Sequence, residues 1–425
     1  MKITLKNFDM QYLIYNTFEY ILAFCLVANC RSMWLMIDGS KFAKYLFYLT
    51  ACSLFACIFT NKYFIINRFK LGLLISFGIM IYFSVYAMLN NYNIKEFLKF
   101  TIIVILLIVY YFSTSNIKSI PDILKKYNDI ILIIALVSTF FWLFGSILHV
   151  ISPTEIVYSK WTNSGKFKAV YSYYGIYFEP QKINFFGIFK NLIRNSACFT
   201  EAPMASFNFS LALINEILIF KSRNLKRILL FVIANITTFS TTGYIIVITV
   251  FIYTIIRRKS KYIDTQKLKI LFSPFLLGIG ILLIYIMFKK KLSNSSGIIR
   301  LDDFIVGFKA WKNNIIIGNG FENNDILKIY MGAWRSYNTG FSNSPMQILA
   351  HCGLYIGIIY IILFCLAVKN AIEIHNLDFF IYVVMFIFLF TIILVSYQYI
   401  VVFILILLND KSFSRSLEYN LIKGD

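Results

Sequence analysis

A chain of 425 residues in which 59% are hydrophobic and only 14% charged lies far outside the composition of water-soluble domains, and a mean hydropathy of +0.72 points to an integral membrane protein. The excess of 41 Lys and Arg over 20 Asp and Glu does not indicate nucleic acid, because the cations gather in short clusters between apolar runs, as topology signals and headgroup contacts do. The seven cysteines and the histidines at 149, 351 and 375 show no spacing that would frame disulfides or a metal, so neither metal nor cofactor is expected.

The amino terminus, "MKITLKNFDMQYLIYNTFEYILAFCLVA", lacks a small-residue cleavage pattern, so its apolar run is expected to remain as the first helix. A crossing takes roughly 20 apolar residues, and about twelve segments qualify. They centre on 11–30, 42–60, 70–90, 98–114, 128–150, 203–220, 228–240, 242–256, 268–288, 345–367, 378–395 and 397–408. The predicted fold is an all-α polytopic membrane protein, one integral domain over residues 1–425. Five helices fill 1–150, a first outer loop spans 151–202, four helices occupy 203–288, a second outer loop spans 289–344, and 345–425 holds the last helices and a cytoplasmic tail. The stretches 228–256 and 378–408 are each too long for one span, and "TTFSTTGY" and "SYQY" are the expected breaks.

The short basic loops "NRFK", "KSRNLKR" and "RRKSKYIDTQKLK" all fall on the cytoplasmic side if the amino terminus does, which satisfies the positive-inside rule and sends both long loops outside. Each long loop carries apolar content of its own. "INFFGIFKNL" clusters Phe185, Phe186 and Phe189, while in "RLDDFIVGFKAWKNN" Phe304, Phe308 and Trp311 recur at helical spacing. Both read as short amphipathic helices, lying in the membrane interface or packed on the tops of the spanning helices.

The polar residues beside these loops are the candidates for chemistry. Ser344, Pro345 and Gln347 form a capping box with Pro at N1, which starts a helix whose free N–H groups and positive dipole end suit an anionic oxygen. Arg194, Arg300 and Arg335 lie in the outer loops, and the planar guanidinium suits phosphate. Glu201, seven residues beyond Arg194, sits where the sixth span enters the membrane, so it is either functional or the partner of an Arg194 ion pair. His351 falls about 9 Å below the start of its helix, as a buried polar contact or a ligand group, and Gly353 and Gly357 read as a close-packing pair. "GNGFENN" at 318–324 reads as a turn and not as a nucleotide loop, since no Lys-Ser/Thr follows.

Four stretches, in this order, resemble the Wzy-type O-antigen and capsule polymerase family within the wider polymerase and ligase superfamily: "RNSACFTEAPMASFNFSLAL", "TTFSTTGYIIV", "SGIIRLDDFIVGFKAWKNNIIIGNGF" and "SNSPMQILAHCGLYIG". The resemblance covers most of 190–365 by motif and the remainder by hydropathy and loop order. Where ligases of this superfamily usually place a histidine before the Asn, this chain has Ser342 before Asn343, which favours a polymerase over a ligase.

The resemblance implies a glycosyltransferase of a bacterial cytoplasmic membrane, with its site facing the periplasm or exterior. It would join polyprenyl-diphosphate-linked oligosaccharide repeat units, usually undecaprenyl-linked, for O-antigen, capsule or exopolysaccharide. A chain-length regulator and a flippase of the same pathway are the implied partners. Arg194, Arg300 and Arg335 are expected at the diphosphate, Glu201 or, second, Asp303 as the base, and Ser342, Asn343 and His351 at sugar or phosphate. A flippase of the lipid-linked oligosaccharide and an O-antigen ligase are the alternatives.

Overall fold

The computed structural model describes residues 10–37, 39–61, 65–114, 121–161, 167–185, 189–222, 224–257, 278, 295–335 and 338–413. Helices α1 (Met10–Asn29), α2 (Met33–Met36), α3 (Phe42–Thr60), α4 (Ile66–Leu89), α5 (Ile94–Thr114) and α6 (Asp122–Phe141) come first, α6 running on through a π-helical turn to Ile147. After the first long loop follow α7 (Ala202–Ile214, prolonged by a π-helical turn to Ile219), α8 (Leu225–Thr237) and α9 (Thr241–Arg257). The second long loop holds α10 (Ser295–Asn313) and α11 (Asn324–Tyr330), and α12 (Ser344–Glu373), α13 (Leu377–Ile392) and α14 (Tyr399–Asn409) complete the chain.

Six of these helices are long and apolar enough to cross a membrane: Phe42–Thr60, Ile66–Leu89, Ile94–Thr114, Asp122–Ile147, Ala202–Ile219 and Ser344–Glu373. Helices α9, α13 and α14 are apolar but shorter. The count of about twelve crossings is therefore larger than the six that meet this length, and the segment expected at 268–288 lies outside the described residues apart from residue 278. Both expected breaks occur, at 238–240 between α8 and α9 and at 393–398 between α13 and α14.

The helices divide by what surrounds them. In α4 only 22% of the apolar window is buried, so its Leu71, Leu74 and Phe77 face outward, as lipid-facing side chains do. In α7 the figure is 89%, and every residue from Met204 to Glu216 is buried among α6, α8, α9 and α13. A helix enclosed on all sides must satisfy its polar groups within the protein. Accordingly Ser210 donates to Asn235 Oδ1 at 2.9 Å and Asn208 accepts from Tyr127 at 2.7 Å.

The first long loop holds strands, including where the sequence suggested a short helix. Strands β1 (Glu155–Ser159), β2 (Lys168–Tyr173) and β3 (Tyr177–Phe178) form an antiparallel sheet in the order β1-β2-β3. The expected amphipathic helix over "INFFGIFKNL" is instead the hairpin β4 (Lys182–Phe185) and β5 (Phe189–Ile193), in register Ile183 with Leu192. Phe and Ile suit a pleated surface and a central Gly disfavours a helix, so local propensity outweighed the apparent helical spacing; Phe186 lies outside the described residues. The second loop does hold the expected helix, longer than foreseen. On α10, Phe304 and Phe308 are about half exposed together with Leu301 and Ile305, while Val306 and Ala310 pack inward.

Helix α12 is broken inside. Gly353 has φ +62° and ψ −165°, a region essentially open only to glycine. The segment 315–320 fills the break. Asn319 N and Gly320 N donate to the carbonyls of Ala350 and His351 at 3.0 and 2.8 Å, and Leu354 N and Tyr355 N donate to those of Ile315 and Ile316 at 2.9 and 2.8 Å. Gly353 thus accepts backbone against backbone, a closer approach than the small-residue packing expected of it.

Candidate functional site

Residues 31–37 leave α1 and, through the short helix α2, bridge to the first long loop and the start of α7. Met33 N donates to Cys198 O at 2.7 Å, Thr200 N to Arg31 O at 3.1 Å and Lys160 N to Met36 O at 2.7 Å. These bonds set Arg31 between the sheet loop and the start of α7. Its backbone is left-handed, at φ +49°, and its guanidinium lies 4.8 Å over the Trp161 ring.

Arg31 Nη1 stands 3.6 Å from Glu201 Oε1, with 10% and 20% of the two side chains accessible. No hydrogen-bond partner of Arg31 Nη1 is present among the described residues. Glu201 occupies the N-cap of α7 but makes no cap bond with its side chain. So Glu201 pairs with Arg31, and the alternative of an Arg194–Glu201 ion pair is replaced.

Arg194 is nonetheless close by. Its Nε donates to Thr238 O at 2.9 Å and its Nη2 to Phe239 O at 3.3 Å, so it clasps the carbonyl end of α8, where a helix dipole favours a cation. Arg300 does the same at the end of α13, donating to Ile392 O at 3.0 Å. Both breaks noted in the sequence thereby hold an arginine. Burial pulls Arg194 down to about 10, still charged at neutral pH, and the Glu201 carboxylate opposes that fall in Arg194, Arg300 and Arg31 alike. Glu201 is thus the carboxylate that all three arginines share, with Glu322 also acting on Arg31 and Asp303 on Arg300.

The remaining sequence candidates form a different structure. Arg335 is fully buried, and its Nη1 donates to Asp303 at 2.6 Å and Asp302 at 2.9 Å, while Nε and Nη2 donate to the carbonyls of Asn338 and Gly340. Asp303, also fully buried, accepts from Ser342 N at 2.9 Å and Ser342 Oγ at 2.6 Å as well. Burial raises its pKa, and the Ser342 and Arg335 contacts hold that rise in check. This clasp fastens α10 to the approach of α12, so Arg335, Asp303 and Ser342 bond one another here and stand apart from the Arg31–Glu201 pair. Every one of these polar groups is already bonded.

The cap of α12 is also displaced by one residue. Asn343, and not Ser344, is the N-cap, accepting from Met346 N at 3.0 Å, so one of the N–H groups expected to meet an anion is taken. Ser344 instead bonds the broken segment after α13, donating to Ile393 O at 2.5 Å and accepting from Val395 N at 2.7 Å. His351 is buried two residues before the kink, its Nδ1 3.3 Å from the Tyr397 hydroxyl.

Beside Arg31 opens a cavity of about 480 Å³ with a mixed wall, in which Arg31, Lys328, Gln347 and Gln398 alternate with Leu327 and Phe341, within the range of small-molecule sites. Glu322, held at φ +55° by the segment that fills the α12 break, also lines it. Desolvation and the neighbouring Glu96 carboxylate raise the Glu322 pKa, against the opposing pull of Arg31 and Lys99. Arg31 and Glu322 were not singled out in the sequence. The signal for Arg31 was available: under the topology expected from the sequence, a cation directly after the first span runs against the positive-inside rule.

Six helices long and apolar enough to cross a membrane point to the class of helical membrane proteins. Compared with protein-family models and with curated proteins, the sequence finds no significant match.

Proposed function

We propose that this protein is a polysaccharide polymerase, a glycosyltransferase that joins polyprenyl-diphosphate-linked repeat units at the outer face of a bacterial cytoplasmic membrane. The observation that carries the reading is Arg31, 3.6 Å from Glu201 and in the wall of a cavity of about 480 Å³, with Arg194 and Arg300 within electrostatic reach of the same carboxylate, on a bundle of membrane-length helices. In this reading the chain crosses about twelve times. The α8–α9 and α13–α14 pairs act as hairpins whose outer turns are tied by the two arginines, and Arg227 and Arg257, paired with Asp129 and Asp378, mark the cytoplasmic ends.

The chemistry follows from charge. The acceptor hydroxyl oxygen attacks the anomeric carbon of the donor glycan, the carbon–oxygen bond to the lipid diphosphate breaks, and the diphosphate leaves with the electron pair. Guanidinium groups fixed before the reaction stabilise that developing charge. Glu201 takes the proton of the hydroxyl, its carboxylate standing 3.6 Å from Arg31. The lipid tail remains among the exposed apolar faces of the helices while the sugars lie in the cavity.

Incubating the purified protein with undecaprenyl-diphosphate-linked repeat units tests the reading. Longer lipid-linked glycans should appear together with one free undecaprenyl diphosphate for each linkage formed. Movement of the lipid across vesicles with no new linkage would replace the reading by a flippase.

A further inference from the structure

A second cavity, of about 570 Å³, adjoins the first and shares with it Asn29, Leu35, Glu322 and Tyr397. It lies between the start of α3 and the start of α5, with Lys41, Lys44 and Lys99 in its wall and Phe47 and Phe100 also lining it. Lys99 is already paired with Glu96 at 2.5 Å. Lys41 and Lys44 have no carboxylate at ion-pair distance among the described residues, and both are exposed. On the same helix Tyr45, Tyr48 and Leu49 turn outward, where acyl chains would lie. The cavity therefore joins two uncommitted cations to a lipid-facing apolar surface, which is the chemistry of a phosphate headgroup whose tail stays in the bilayer.

We propose that this cavity binds a second phosphate-bearing lipid headgroup, so that two anionic lipid-linked ligands are held at once on the two sides of Glu322. Naming that second ligand as the acceptor of the polymerase rests on the function proposed above; the existence of the site does not. Each ligand then has its own cation, Arg31 in the first cavity and Lys41 with Lys44 in the second, with Glu322 in the wall between them.

Native mass spectrometry of the full chain in lipid nanodiscs, titrated with undecaprenyl diphosphate, reads the number of sites. The parent should take up two molecules per chain. The double variant K41Q/K44Q should take up one, and R31A should also retain one. Lys41 and Lys44 are surface groups whose loss leaves no buried charge, and an unchanged Tm will verify the fold. One molecule per chain in the parent, or two in K41Q/K44Q, overturns the proposal. Displacement by inorganic diphosphate as readily as by the lipid overturns the headgroup assignment, since the site would then recognise free phosphate. Two bound lipids with no glycan elongation would sustain this site and remove the polymerase reading; elongation with a single lipid bound would do the reverse.

Discussion

Replacing Arg31 by Ala probes the cluster most sharply, because it deletes the guanidinium nearest Glu201 and leaves Arg194 and Arg300 bound to their helix ends. At 3.6 Å and an effective dielectric of ~20, the Arg31–Glu201 attraction is about 4–5 kcal/mol before desolvation is subtracted. Unfolding is not the expected result, because Glu201 keeps the field of the other two arginines. What R31A removes is a charge-assisted hydrogen bond to the incoming diphosphate, worth roughly 1.5–3 kcal/mol, or about 10- to 150-fold in kcat/KM. Initial rates of elongation with purified protein, at varied lipid-linked donor, measure it. R31K should recover part of the loss, since it restores charge but neither the planar fork nor the stacking on Trp161. Donor KM and kcat both within twofold of the parent in R31A would refute the assignment of Arg31 to the anion.

Glu201→Gln should lower kcat by at least about 100-fold while leaving donor KM unchanged or smaller, because Arg31 is released toward the ligand; parent-like kcat would remove Glu201 as the base. Where Glu322 acts as an anion between the cavities, activity should fall on acidification through a pKa above the ordinary glutamate range, and E96Q should move that limb to lower pH, since the Glu96 charge raises the Glu322 pKa and Lys99 would be freed to lower it further; a pH–rate profile unmoved by E96Q contradicts this. Arg335→Gln should destabilise by about 3–5 kcal/mol, read as a lower Tm in detergent, because it strands Asp303 and Asp302 without their cation. Gly353→Ala should cost at least about 1–3 kcal/mol in backbone strain alone, with segment 315–320 displaced from the break; an unchanged Tm would show that α12 straightens without loss.

What the sequence made legible follows from how local each signal is. Spans and breaks are runs of neighbouring residues, so α3 to α7 and the interruptions at 238–240 and 393–398 could be read directly. Arg194 and Glu201, seven residues apart, stayed near each other, and Arg300 joined them because both arginines close a helix end at a break. Arg31 lies 170 positions before Glu201 and reaches it through the bonds of 31–37 to residues 160 and 198–200, which no periodicity reveals. Arg335, Asp303 and Ser342 carried the same residue types as an anion site. Only their mutual distances distinguish a saturated clasp from an open one. The sheet of the first loop was missed because its strands are two to six residues long and too short for alternation to stand out against an aromatic-rich background.

The most direct test of the polymerase reading is the surface polysaccharide of a strain lacking this gene, separated by gel beside that of its parent and of the same strain carrying the gene again. The account predicts that the ladder of repeat lengths collapses to single attached units and returns with the gene. Loss of every unit from the surface, or an undiminished ladder, would contradict it.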